Sequence, residues 1–395
     1  MVTAFGSSVR MFVLCGMKYQ FATSLALLVF GVQAQPYAVG NLNIAFYDAE
    51  RDRSIGCEVH YPATEAGDDT PVNDGEYPVL VIGHGFVMGT DAYTYLWQHY
   101  APLGYIVVLP FTEAGFAPDH QAFGEDLAFL AADLQAANDL PSSPFYQHVL
   151  PKAVLMGHSM GGGAAFLGAG GNGAITALVA LAPAETDPSA IAAAAVVQVP
   201  TLVFAASEDC VTPIPDHQGP MYEGLTVPCK AFVNITGGGH CYFGDDSFTC
   251  SFGELTCGPD LTISREQQHA VVTDITDLWL RYHVQEDANA FGLLLDSLAS
   301  TARFIAETTC LSTMIATRGD QEASVRAWFA DGRLNVEGCV PGEQLVLSDG
   351  LGRLIWTGRA GSDGRAVQTV LIPGGVYVLG VGNADRRVCR PVLVH

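Results

Sequence analysis

The chain has 395 residues, 49% of them apolar and 15% charged, which is ample for a buried core and excludes a largely disordered protein. Its 18 Lys plus Arg against 41 Asp plus Glu leave a formal charge of −23, which repels polyanions and excludes nucleic acid as a partner. The length exceeds one ordinary domain, so a large domain and a small one are expected.

Residues 17–34, MKYQFATSLALLVFGVQA, open with Lys18, run apolar from Phe21 to Val32 and end on small Ala34 before Gln35 and Pro36. This is the pattern of a secretory signal peptide, assigned to 1–34, with Met17 a better start than Met1. The apolar run is shorter than the roughly 20 residues a bilayer span needs, so no stable membrane span is expected.

From residue 41 onward short apolar runs alternate with longer amphipathic ones. Strands are expected at 41–47, 57–61, 78–82, 105–109, 153–156, 177–181, 201–204 and 230–235, and helices at 91–103, 121–139, 160–169, 217–225 and 264–283. A hairpin followed by strands alternating with helices implies the α/β class, a mostly parallel sheet covered on both faces. Beyond Cys310 the period changes to two, with Gly-rich turns between 344–348, 353–357, 367–371 and 376–381. The expected organisation is a catalytic domain at 35–310, a linker at 311–318 and a small all-β sandwich at 319–395.

Nine of the ten cysteines follow Ala34, as suits an exported protein in an oxidising compartment. Cys210, Cys229, Cys241, Cys250 and Cys257 fall in one stretch with Asp209 and His240, where bridges would stiffen the loops holding those two residues. Their connectivity is not readable from sequence, and an odd number leaves at least one thiol unpaired. No pair of CxxC units occurs, so no metal site is expected.

The segment Met156-Gly157-His158-Ser159-Met160-Gly161 sets GxSxG after an apolar strand and before a small-residue helix. In that context Ser159 reads as a nucleophile on a tight turn rather than a solvated serine, with Gly157 and Gly161 removing side chains that would collide there. The N–H of Met160, at the helix start, would face a developing oxyanion, and the N–H of Phe86, after the strand ending Gly83-His84-Gly85, would be the second donor. His84 reads as a structural neighbour of that turn. Asp209, just past the strand Thr201-Leu202-Val203-Phe204, is the expected acid, with Glu208 and Asp216 as rivals. His240, after Gly237-Gly238-Gly239 and one further strand, is the expected base. The order Ser, Asp, His is that of α/β-hydrolases.

Gly157-His158-Ser159-Met160-Gly161-Gly162-Gly163, Val199-Pro200-Thr201-Leu202 leading to Asp209, His217-Gln218-Gly219-Pro220-Met221-Tyr222, Gly238-Gly239-His240 and Gly85-Phe86 together resemble the cutinase and polyester-hydrolase group. That group includes poly(ethylene terephthalate) hydrolases and lies within the dienelactone-hydrolase-like families; the resemblance covers 41–310. It implies a serine carboxylic-ester hydrolase working through an acyl-enzyme without a cofactor, acting on an ester or polyester. It also implies substrate contacts from Phe86, His158 and the position of Ala184. There the resemblance breaks, because Ala182-Pro183-Ala184 stands where those polyesterases carry Pro-Trp, so half of an aromatic clamp is missing. Small-ester hydrolases of the chlorophyllase or dienelactone-hydrolase type share the general pattern. An amidase or peptidase, or a non-catalytic surface protein, are the remaining alternatives.

The last 75 or so residues, with Leu351-Gly352-Arg353 and Gly375-Val376-Tyr377, resemble the sorting domain of the type IX secretion system. The resemblance implies that secretion machinery as a partner and a secreted or cell-surface location reached through the periplasm. A carbohydrate-binding sandwich is the alternative.

Overall fold

A computed structural model describes residues 36–299 and 301–310, and of the C-terminal part 326–330, 333–339, 341–349, 354–369, 375–383 and 386–394. The expected signal peptide, the linker at 311–318 and the Leu351-Gly352-Arg353 turn lie outside these residues. The chain divides into two compact units, 1–312 and 313–395.

The first unit opens with an antiparallel hairpin, β1 (Ala38–Asp48) and β2 (Arg53–Ala63), and a short β3 (Gly67–Asp68). Then follow β4 (Tyr77–Gly83), α1 (Thr94–Tyr100), β5 (Ile106–Pro110), α2 (His120–Ala137), β6 (Val149–His158) and α3 (Met160–Ala169). After these come β7 (Ala177–Leu181), α4 (Ala190–Ala194), β8 (Thr201–Ala206), α5 (Gln218–Gly224) and β9 (Lys230–Ile235). The unit closes with α6 (Phe248–Leu255), α7 (Arg265–His283), α8 (Ala288–Ala299) and β10 (Phe304–Thr308).

These strands form one sheet in the order β10-β9-β8-β7-β6-β4-β5-β2-β1-β3. Strands β4 to β9 run parallel, while β2 and β10 pair antiparallel with β5 and β9. Successive residues of a strand point to opposite faces, and here both faces are covered, which is why the central strands read as unbroken apolar runs. Val79, Val81 and Leu155 pack with Leu127 of α2 and Phe166 of α3. Their neighbours Leu80, Ile82, Val154 and Met156 face Leu96 of α1, Trp279 of α7 and Leu294 of α8.

The hairpin is fastened to α2 by charge. Asp126, with a fully buried side chain, accepts Arg51 at 2.9 Å and Arg53 at 2.7 Å. Two partly exposed arginines share this carboxylate, so its buried charge stays compensated when either is lost.

The second unit holds two antiparallel sheets. One contains β11 (Arg326–Ala330), β12 (Arg333–Glu337) and β15 (Ala366–Thr369); the other contains β13 (Gln344–Asp349), β14 (Leu354–Arg359), β16 (Gly375–Asn383) and β17 (Arg386–Val394). Leu334 and Val336 of the first sheet share a core with Leu345, Leu347 and Leu379 of the second.

The sequence pattern missed α4, α6, α8 and β10 in the first unit and β11, β12 and β17 in the second. The helix expected at 91–103 is a 3-10 turn at Thr90–Tyr93 followed by α1, which stops ahead of Pro102 because the residue before a proline disfavours the helical region. Among the described residues no helix is long and apolar enough to cross a membrane.

Candidate active site

Ser159 occupies the one-residue turn between β6 and α3 with φ 55° and ψ −121°, a conformation a non-glycine residue holds only when its surroundings enforce it. Its N–H donates to Leu181 O at 3.0 Å, and its carbonyl accepts the N–H groups of Gly163 at 3.1 Å and Ala184 at 2.9 Å. The flanking glycines are required by space. A Cβ at Gly157 would lie 2.2 Å from the Gly161 carbonyl oxygen, and one at Gly161 would lie 2.2 Å from that of Gly83.

Strands β4 and β6 are parallel neighbours with Gly83 opposite Gly157, so the turn bearing Phe86 and the turn bearing Ser159 leave the sheet side by side. Met160 opens α3. The Phe86 ring is 46% exposed and meets Phe116 edge to face at 6.4 Å between ring centres. His84 is buried and both its ring nitrogens contact backbone carbonyls, of Gly85 at 2.9 Å and Thr112 at 2.8 Å.

Strands β8 and β9 are also parallel neighbours, and the loops that follow them carry Asp209 and His240. His240 Nδ1 stands 2.8 Å from Asp209 Oδ2, with both side chains essentially buried. Asp209 accepts three further hydrogen bonds: Val211 N–H at 2.9 Å and Thr212 N–H at 2.8 Å on Oδ1, and the Thr212 hydroxyl at 2.8 Å on Oδ2. A carboxylate held this way assigns the His240 ring hydrogen to Nδ1 and leaves Nε2 able to take a proton. The rivals are turned elsewhere: Glu208 accepts the Ser207 hydroxyl at 2.9 Å, and Asp216 is exposed. Among the described residues no hydrogen bond joins the Ser159 hydroxyl to His240; such bonds are often long before substrate binds.

His158 requires a correction. Expected to touch substrate, it is fully buried, with Nε2 3.1 Å from the His240 carbonyl oxygen and Nδ1 3.0 Å from the Tyr93 hydroxyl. Burial, helped by the neighbouring His240, pushes its imidazole well below the usual histidine range. Neutral, it donates from Nε2–H and accepts the Tyr93 hydroxyl hydrogen at Nδ1. Tyr93, whose phenol is pushed up by burial, accepts the Gly85 N–H at 2.7 Å. His158 therefore links, through Tyr93, the Gly85 turn to the loop bearing His240, and its buried ring is not exposed for contact with a substrate. Ala184 is partly buried, and only its N–H, donated to Ser159 O, bears on the site.

The supporting residues were not legible in the sequence. Gln218 donates to the Thr212 hydroxyl at 2.8 Å, to Thr212 O at 3.0 Å and to Pro183 O at 3.1 Å. Gln268 of α7 bonds Gly239 both ways, at 2.9 and 3.1 Å. Arg265 donates to the carbonyls of Cys241 and Gly244 and lies over the Tyr242 ring at 4.6 Å. Disulfides join Cys210 to Cys257, Cys229 to Cys310 and Cys241 to Cys250, so the residue after Asp209 and the residue after His240 are both covalently anchored. Among the described residues Cys57 and Cys339 are free thiols, and no cluster of His, Cys, Asp or Glu could hold a metal.

A model of the PET hydrolase-like family matches residues 37–252. The bis(hydroxyethyl) terephthalate hydrolase of Streptomyces coelicolor is 28% identical over 189 residues, 47% of this chain and 55% of the relative. Cutinase 2 of Thermobifida cellulosilytica is 27% identical over 172 residues, 43% of this chain and 63% of the relative. Chlorophyllase-2 of Arabidopsis thaliana is 31% identical over 101 residues, 25% of this chain and 30% of the relative. The chain thus spans a little over half the length of the first of these relatives. With a parallel sheet covered by helices and a family match over more than half of its residues, the chain belongs to the PET hydrolase-like family of α/β-hydrolases.

Proposed function

We propose that this protein is a secreted serine carboxylic-ester hydrolase whose triad is Ser159, His240 and Asp209, acting on an ester or polyester. The observation that carries the reading is the 2.8 Å contact of buried His240 Nδ1 with Asp209 Oδ2, on loops whose strands share the sheet edge from which Ser159 leaves β6. His240 Nε2 takes the Ser159 hydroxyl proton as the oxygen attacks the ester carbonyl, and Asp209 supports the imidazolium that forms. The N–H groups of Met160 and Phe86 hold the oxyanion. The imidazolium then gives its proton to the departing alcohol, and water, deprotonated by His240, releases the acid from Ser159. The chemistry requires neither metal nor cofactor.

The relatives support the ester class: one is named for terephthalate ester hydrolysis, one as a cutinase and one as a chlorophyllase. Export is supported by the leader pattern at 17–34 and by three disulfides in the first unit. The resemblance of 319–395 to a type IX sorting domain supports passage across an outer membrane through that machinery.

The test is a panel of soluble esters and polyesters with full-length protein and Ser159→Ala. The wild type should hydrolyse short-chain esters, and Ser159→Ala should lose on the order of 10⁶ in kcat while keeping its fold. A variant retaining more than about a tenth of wild-type activity would remove Ser159 as nucleophile.

A further inference from the structure

Among the described residues the solvent-exposed phenylalanines are Phe86, Phe111, Phe116, Phe248 and Phe252. Each follows the C-terminal end of a parallel strand: Phe86 after β4, Phe111 and Phe116 after β5, and Phe248 and Phe252 after β9. Ser159 leaves β6 at that same end of the sheet. Scattered exposed apolar side chains are ordinary, but their collection on one end marks a surface that something covers.

The last two belong to α6, which is built inside out. Phe248, Phe252 and Leu255 recur at i, i+4 and i+7, so they share one helix face, and they are 86%, 62% and 76% exposed. The Phe248 and Phe252 rings stack with their centres 6.2 Å apart. The one charged residue of the helix, Glu254, is buried and accepts the Cys241 N–H at 3.2 Å. The Cys241–Cys250 bridge fastens the helix to the residue after His240, and Cys210–Cys257 fastens the chain just beyond it to the residue after Asp209.

We propose that the outward face of α6 is a docking surface for a solid, uncharged ester polymer, held next to the acid and base loops while one of its chains reaches Ser159. This rests on the ester-hydrolase reading of the site and adds a second contact to it. The charge pattern selects the occupant. The face itself is uncharged in a chain of formal charge −23, so an anionic lipid surface is repelled by the rest of the molecule while a neutral polymer is not. Two disulfides hold the face in place before binding, which lowers the ordering cost of docking on a rigid solid.

The experiment uses the full chain with Ser159→Ala, which cannot erode the surface, and measures adsorption to polycaprolactone particles with and without Phe248→Gln and Phe252→Gln. Adsorption affinity should fall about tenfold or more with both substitutions, and Phe248→Leu with Phe252→Leu should recover most of it. With Ser159 intact, the Gln pair should reduce product release from particles by a similar factor. Its kcat/KM for soluble p-nitrophenyl butyrate, which reports an intact fold, should stay within about twofold of wild type. Unchanged adsorption overturns the proposal, as does an equal loss on soluble ester and particle. A wild-type dimer that the Gln pair splits without affecting adsorption assigns the face to a second copy, and stronger capture by anionic vesicles than by polymer assigns it to a membrane; either result also overturns the proposal. If the wild type hydrolyses no ester, the reading of the site fails, while the adsorption comparison in the Ser159→Ala protein still decides the docking question.

Discussion

The Thr212 hydroxyl donates to Asp209 Oδ2 over 2.8 Å, and the Thr212 hydroxyl oxygen also lies 3.0 Å from His240 Nδ1. Thr212 thus stands at the junction of Asp209 and His240, held there by Gln218. Thr212→Val keeps the shape of the side chain and removes the hydroxyl. A hydrogen bond to a charged group contributes about 1.5–3 kcal/mol, so kcat on a soluble ester should fall by roughly 10- to 100-fold with KM little changed, and Thr212→Ser should restore most of it. An unaltered kcat would show that Asp209 orients His240 without this hydroxyl.

The alanine at 184 leaves Phe86 without an opposing ring from the loop after β7, so aliphatic polyesters should be cleaved faster than poly(ethylene terephthalate). Ala184→Trp should shift that ratio towards the aromatic polymer several-fold, by about the 0.5–1.5 kcal/mol of one aromatic pair. Product release from films of both polymers measures it. A wild-type preference for the aromatic polymer would contradict the argument.

Stability should fall as the pH drops below about 6.5, the ordinary histidine value. Burial is the leading cause that holds the imidazoles of His158, His217 and His269 below that value, and it pushes His283 down to about 4. Their folded-state pKa values are depressed, so the unfolded chain binds protons that the folded one refuses. The stability is complete above the unfolded value and is lost progressively as the pH falls from it towards the depressed folded values, about 4 for His283. Urea midpoints at about pH 7.5, 6 and 5, in about 0.5 M salt to screen the acidic surface, should decline in that order. His283→Gln should make the decline shallower. A midpoint that rises on acidification would mean that relief of charge repulsion outweighs the buried imidazoles.

The second unit should be dispensable for catalysis. The sheet of the first unit ends with β10, and Cys310 is bridged to Cys229, so a chain of residues 35–318 keeps every strand of that sheet and all three disulfides. It should hydrolyse soluble esters within about twofold of the mature chain, as a domain with its own core does. In the native host a chain ending at residue 318, with the leader at 1–34 retained, should stay in the periplasm. Normal release into the medium would instead make 319–395 a binding module.

The parts of the fold and site that were legible in the sequence are those specified over a few residues. Glycines on either side of Ser159, an apolar run before it and small residues after it describe a strand, a tight turn and a helix start without reference to the rest of the chain. Asp209 and His240 could be picked out because each follows an apolar strand, and a parallel sheet collects such strand ends along one edge. What brings them to 2.8 Å is the register of β8 against β9, with Ala206 opposite Ile235, which no local pattern encodes. The placing of Thr212 against His240, the Cys210–Cys257 and Cys229–Cys310 bridges and the buried contacts of His158 depend on segments 28 to 82 residues apart. Helix α6 escaped notice for a related reason. A helix is read from an apolar stripe facing a core, and here the stripe faces outward while the carboxylate of Glu254 turns in to the Cys241 N–H, a contact with a separate loop that the helix sequence does not show.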